Sequence, residues 1–270
     1  MSGALNVQAL DACVRIEAPE EICRWLGELW GDALASHPTI EVPPIRWEGG
    51  REEWTIDLAG DGRIARVETA GALAETMVQI NKLGAESVAD ASAVLHAGTF
   101  VVDGIAVAVS GTSGAGKSTT VAAASLQGHS FLSDEVCAID PATTVVRAYH
   151  RPIGIRAGGA AALGLEIPVH HDDYAFVYPW RVSIAGVLAE PAPLGLVAFV
   201  HRRPGDVQVV QLSPADALVR LATNSLAAIG RERPMFRKFE HLARTVRVVE
   251  CHYEDVAAAV DAMADLVRQG

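Results

Sequence analysis

In the run Gly111-Thr112-Ser113-Gly114-Ala115-Gly116-Lys117-Ser118, residue types and spacing together prescribe a chemistry. The run matches G-x-x-x-x-G-K-[ST] in full. Glycines at 111, 114 and 116 let the backbone curl until several N–H groups point inward, where they can hold phosphate oxygens. Lys117 is spaced to reach the outer phosphates and Ser118 to ligate Mg2+ through its hydroxyl. A helix that starts here and runs through Thr119 turns its positive end on the same anion. The expected ligand is a nucleoside triphosphate with Mg2+. No segment identifies the base, so ATP is the default and GTP stays open.

A phosphate loop names no reaction, and the acidic pair Asp134-Glu135 is the next group that could. It follows a short apolar strand after one crossover helix, where a parallel neighbour of the loop strand would deliver it to the outermost phosphate. One carboxylate can hold the metal while the other takes the proton of an attacking hydroxyl. We assign the base to Asp134 and the metal to Glu135, and the two roles are exchangeable at this level. His96 stands before the loop strand and reads either as an assisting group or as a core histidine. Arg156 reads as a cation for the transferring group or as a surface arginine. His170-His171-Asp172-Asp173 has ligand types but no partner at metal-site spacing, and reads as a solvated loop.

These residues need a frame. Thr99-Phe100-Val101-Val102, Asp103-Gly104 and Ile105-Ala106-Val107-Ala108-Val109 predict a hairpin feeding the loop, because Asp-Gly suits a two-residue turn with positive φ at both positions. An Ala-rich helix over 117–126 should end at Gly128. Upstream, helices are predicted over 19–34 and 73–93, with strands at 54–58 and 64–68 around Gly60-Asp61-Gly62. Downstream, strands are expected at 145–149, 194–200 and 207–212, a helix capped by Ser213-Pro214-Ala215-Asp216, and a closing helix over 255–268. The Gly-, His- and Asp-rich stretch 154–179 reads as mobile loops. The division is a small α+β N-terminal elaboration over 1–90 and a phosphate-loop core over 91–270.

Half of the 270 residues are apolar and the formal net charge is −11, with the 22 basic residues scattered singly. That balance argues against nucleic acid as a partner. No long apolar run and no cationic leader appears, so no membrane association and a cytoplasmic location are expected. Cys13, Cys23, Cys137 and Cys251 stand far apart and read as reduced structural thiols.

Taken together, Leu95-His96-Ala97-Gly98, the hairpin, the loop through Thr119 and Phe131-Leu132-Ser133-Asp134-Glu135 resemble the HPr kinase/phosphorylase-like proteins. That family shares its nucleotide-binding core with phosphoenolpyruvate carboxykinases. The resemblance implies an α/β fold, a phosphate-loop core with a mixed sheet of that type, and an ATP- and Mg2+-dependent kinase. It implies that His96, Asp134 and Glu135 act together, and related kinases often assemble as homo-oligomers. Glu135 stands where the family commonly has a second Asp, and the longer segment by which true HPr kinases engage their protein substrate is not found. The chain is more similar to shorter HPr-kinase-related proteins of peptide-modification clusters, some of which phosphorylate a serine of a precursor peptide such as a lasso peptide. The expected acceptor is then a Ser or Thr hydroxyl of a peptide or protein. Two other readings stand beside it: a small-molecule hydroxyl kinase, and a nucleotide-dependent binding module without phosphoryl transfer.

Overall fold

A computed structural model of the chain describes residues 2–31, 40–50, 53–58, 64–165, 174–177, 188–226 and 232–270. The first sheet contains β1 (Ser2–Ala9), β2 (Ala12–Pro19), β3 (Ile40–Glu41), β4 (Ile45–Gly50), β5 (Glu53–Leu58) and β6 (Ile64–Val67). Its order is β1-β2-β4-β5-β6, with β3 beside β2. The predicted pairing of 54–58 with 64–68 is present as antiparallel β5 and β6, while its Gly60-Asp61-Gly62 turn lies outside the described residues. The β1–β2 hairpin was not expected, because its turn is Leu10-Asp11 and Leu10 adopts a φ of 54°, unusual for a branched side chain.

Helices α1 (Glu20–Trp30) and α2 (Thr69–Val88) pack on this sheet. In α1 the spacing of Ile22, Leu26, Leu29 and Trp30 buries one stripe, and Gly31 in a positive-φ conformation ends it sooner than the pattern suggested. The indole N–H groups of Trp47 and Trp54 donate to Thr76 and Thr69, both at 2.9 Å, tying β4 and β5 to α2. The expected helix over 73–93 begins at Thr69 and ends at Val88. Periodicity could not locate that end, because the cap is tertiary: Lys238 donates to the carbonyls of Ala89, Asp90 and Ser92 at 2.8, 2.8 and 3.1 Å.

The second sheet has nine strands: β7 (Ala93–Leu95), β8 (Ala97–Val102), β9 (Ile105–Ser110), β10 (Ser130–Ser133), β11 (Cys137–Ile139), β12 (Val145–Val146), β15 (Ala192–Arg202), β16 (Gln208–Gln211) and β17 (Arg247–Tyr253). A separate antiparallel pair joins β13 (Ile153–Arg156) to β14 (Tyr174–Val177). Interspersed are α3 (Lys117–Leu126), α4 (Ala157–Ala162), α5 (Pro214–Thr223), α6 (Glu232–Thr245) and α7 (Val256–Arg268). The stretch expected to be mobile loops thus contains β13 and α4, and strand 145–149 shrinks to two residues. Alanine and glycine supply little periodic signal at α4, and its neighbours hold it: a Cβ on Gly159 would press on Thr119 Oγ1 at 2.6 Å. Neither α6 nor β17 was anticipated.

The predicted hairpin is formed by β8 and β9, with Val102 opposite Ile105 and positive φ at Asp103 (49°) and Gly104 (84°). Strand β9 lies between antiparallel β8 and parallel β15, and β17 runs parallel to β15, so the fold is mixed α/β with a mixed sheet. One expectation is corrected here. Strand β10 is not the loop strand's neighbour; it pairs with β8, and so runs in the direction of β9 one strand removed. The carboxyl ends of β9, β10, β15 and β17 nevertheless share one rim, where open α/β sheets place ligands. Alternation along β9 sends Ala106 and Ala108 to the face covered by α5 and α6, and Val107 and Val109 to the face of α3 and α7. Among the described residues, no helix is long and apolar enough to cross a membrane.

Candidate functional site

The loop leaves β9 at Ser110 and enters α3 at Lys117. Gly111, Gly114 and Gly116 have φ of 148°, 82° and 99°, values only glycine adopts without strain. The Lys117 ammonium is buried and curls back over the loop, donating to the carbonyls of Gly111 and Thr112 at 3.2 and 3.3 Å. The ammonium is thereby placed where it would meet the oxygens of an anion held by the loop amides.

Beneath the loop lies Asp134, fully buried at the end of β10. The Ser118 hydroxyl lies 3.1 and 3.2 Å from its two oxygens, and the Gly154 amide donates to Oδ2 at 3.2 Å. Its close seat against β8 needs a glycine: a Cβ on Gly98 would meet Asp134 Oδ1 at 3.1 Å and Val121 at 2.6 Å. Arg151 stands 3.6 Å from Oδ2 and is only 2% exposed, with Nε and Nη1 lacking hydrogen-bond partners among the described residues. Burial and the charge of Glu135 push the Asp134 carboxyl up to about 6, against the pull of Arg151, the Gly154 amide and Ser118.

Glu135 points elsewhere. It has a φ of 69°, and Val136 N–H donates across it to the Asp134 carbonyl at 2.9 Å, a tight three-residue turn with positive φ at its centre. Such a turn costs a non-glycine residue about 1–2 kcal/mol, and here it swings the side chain into the cleft. There Glu135 Oε2 meets His96 Nε2 at 2.7 Å, with both side chains about a third exposed. His96 is itself fixed through its backbone, donating to Asn224 O and accepting from Ser110 Oγ, both at 2.8 Å. Burial raises the Glu135 carboxyl, but the His96 bond and the charges of Arg151, His96 and Lys117 outweigh it and bring it down to about 2. The pair occupies two unlike settings one peptide unit apart along the main chain.

Around these groups opens a cleft of about 670 Å3. His96, Ser113, Gly114, Gly116, Lys117, Ser118, Thr119, Glu135 and Arg156 line it, so the sequence-derived candidates converge on one cavity; Asp134 lies below its floor, while Gly111, Thr112 and Ala115 complete the loop's backbone. Arg156 Nη2 lies 3.4 Å from Ser113 Oγ. His170, His171, Asp172 and Asp173 fall outside the described residues, among which no group of three or more His, Cys, Asp or Glu is arranged to hold a metal.

No family model matches the sequence, and no curated protein matches it. Among solved structures, the Hpr(Ser) kinase/phosphatase from Coxiella burnetii is similar at 13% identity, over 65% of this chain and 94% of that one, with a TM-score of 0.30. A likeness of that size adds no weight to the site. Its chemistry rests on its own residues.

Sequence reasoning missed Arg151, Arg202, Tyr253, Glu254 and Asp255, of which the last four line the cleft. The alternation Val248, Glu250, His252 against Val249, Cys251, Tyr253 could have revealed β17 and the wall it ends in. Nothing in the sequence around Arg151 signals that it is buried.

Proposed function

We propose that the chain transfers the terminal phosphoryl group of ATP, with Mg2+, to a hydroxyl of a peptide or protein. The observation that carries the reading is the split acidic pair: Asp134 under the loop against Ser118, Glu135 in the cleft against His96. Hydroxyl and carboxylate oxygens in contact are a hard donor set that fits Mg2+, so Ser118 and Asp134 would hold the ion. When bound, Mg2+ would offset charge on the phosphate oxygens. This exchanges the two roles as first assigned. A base must reach the acceptor, and Asp134 is closed in by Ser118, Gly154 and Arg151.

Lys117 and the loop amides stabilise the transferring group, and Arg156 at the rim adds a cation. Glu135, held at Oε2 by His96, orients the acceptor hydroxyl and takes its proton. A carboxylate of low basicity suffices, because in a loose transition state the proton becomes acidic only as the new oxygen–phosphorus bond forms. The choice of a peptide or protein Ser/Thr acceptor, and of ATP over GTP, rests on the motif resemblance. The mixed sheet gives the small-molecule kinase reading no support.

The test is a radiolabelled γ-phosphate transfer assay over candidate peptides, comparing Glu135→Gln and Asp134→Asn. Glu135→Gln should lower turnover by about 100-fold or more with ATP affinity kept, whereas Asp134→Asn should weaken the Mg2+ dependence of binding. Full turnover in Glu135→Gln would remove the assigned base.

A further inference from the structure

Tyr253 belongs to none of the groups that motif spacing picks out, yet it lies under the phosphate loop. It ends β17, is 2% exposed, and its hydroxyl donates to the Ala115 carbonyl at 3.1 Å. Burial raises its phenol above the ordinary value, so it remains a donor at neutral pH. The contact is close enough to dictate the neighbouring residue, for a Cβ on Gly116 would fall on the Tyr253 oxygen, far inside contact distance. Thr120 completes the floor, its hydroxyl donating to the Gly116 carbonyl at 2.9 Å and lying 3.5 Å from the Tyr253 oxygen.

The peptide joining Ala115 to Gly116 is planar and trans, so its carbonyl and its N–H point in opposite directions. A hydroxyl that fixes the carbonyl downward therefore fixes the Gly116 N–H upward, away from Tyr253 and into the curl. We propose that Tyr253 is a positioning residue for phosphate: it presets the Gly116 amide as a donor to the triphosphate before any ligand arrives. Preorganised donors bind an anion without reorganising at the moment of binding. The inference rests on the phosphate-binding reading of the loop, and adds that a residue more than 130 positions away sets the loop's geometry.

Tyr253→Phe removes one oxygen and keeps the ring. Calorimetry with Mg–ATP and with inorganic tripolyphosphate should show both binding on the order of 5–10-fold more weakly, with the melting temperature of the ligand-free protein little changed. In 1H–15N spectra, the downfield shift of the Gly116 amide on adding tripolyphosphate should shrink in the variant. A packing role alone would lower the melting temperature and leave that shift intact. Equal affinity and an equal Gly116 shift in the two proteins overturn the proposal. Absence of binding by the parent protein overturns the loop reading itself. If Tyr253→Phe fails to fold, the parent protein serves in its place: a Tyr253 hydroxyl proton that exchanges freely with water in the ligand-free protein is not held on the Ala115 carbonyl, and that result also overturns the proposal.

Discussion

Two arginines four residues apart each face an aspartate, and the two pairs differ in every physical respect. Arg147 forks onto Asp11 with two hydrogen bonds, about a third of each side chain remaining in water. Arg151 lies 3.6 Å from Asp134 with both side chains almost fully buried and two guanidinium nitrogens without partners among the described residues. The first pair clamps the β1–β2 turn to the residue following β12. The second is looser although burial makes looseness costly, which is the signature of a group arranged for something other than stability. The surroundings agree: Trp30, Trp54, Ile16 and Leu26 fill the core of the first sheet, whereas Lys117, Asp134 and Arg151 are buried around the loop.

This contrast can be broken by substitution. The largest effect is expected at Asp134→Ala, which takes from buried Arg151 its nearest counter-charge, leaving only the more distant Glu135, and should cost about 3–5 kcal/mol in urea denaturation. A cost below about 1 kcal/mol would mean that Arg151 finds water and that the region is not dry. Lys238→Met removes the cap on the end of α2 and should cost about 1–2 kcal/mol, with hydrogen exchange quickening first at Ala91 and Ser92. Asp11→Ala, although it breaks the better-formed ion pair, should cost only about 0.5–1 kcal/mol and less at high salt.

The smallest stability effect is expected at Glu135→Gly. Relief of the positive φ offsets both the greater freedom of glycine in the unfolded chain and the loss of the partly exposed bond to His96, so the change should stay within about 0.5 kcal/mol while phosphoryl transfer is lost. A residue whose backbone strain cancels its bond to His96, and which cannot be replaced without losing activity, would mark the site side of the contrast unambiguously.

How far the sequence could be read follows the same line. Local chemistry was legible: Asp103-Gly104 specified the hairpin, three glycines specified the loop, and helix α3 spans the residues expected between Lys117 and Leu126. Legibility failed where the decisive partner is distant in sequence. The end of α2 depends on Lys238, the seat of Asp134 on Gly98 and Arg151, and the floor of the loop on Tyr253. The β1–β2 hairpin was hidden because Leu10 is a poor turn former. The acidic pair does follow a short strand behind one helix, but that strand is not the loop strand's neighbour, and the pair's division into a buried and a cleft-facing member depends on one strained turn that residue types do not announce.

We propose that the curl from Gly111 to Ser118 holds a nucleoside triphosphate with Lys117 above it. Isothermal titration of the purified protein with ATP and excess Mg2+ tests it most directly, with Lys117→Met alongside. Saturable binding of one equivalent, weakened about 10-fold or more in Lys117→Met, is the predicted result. No heat of binding from the folded parent protein, or equal affinity in the two, would contradict it.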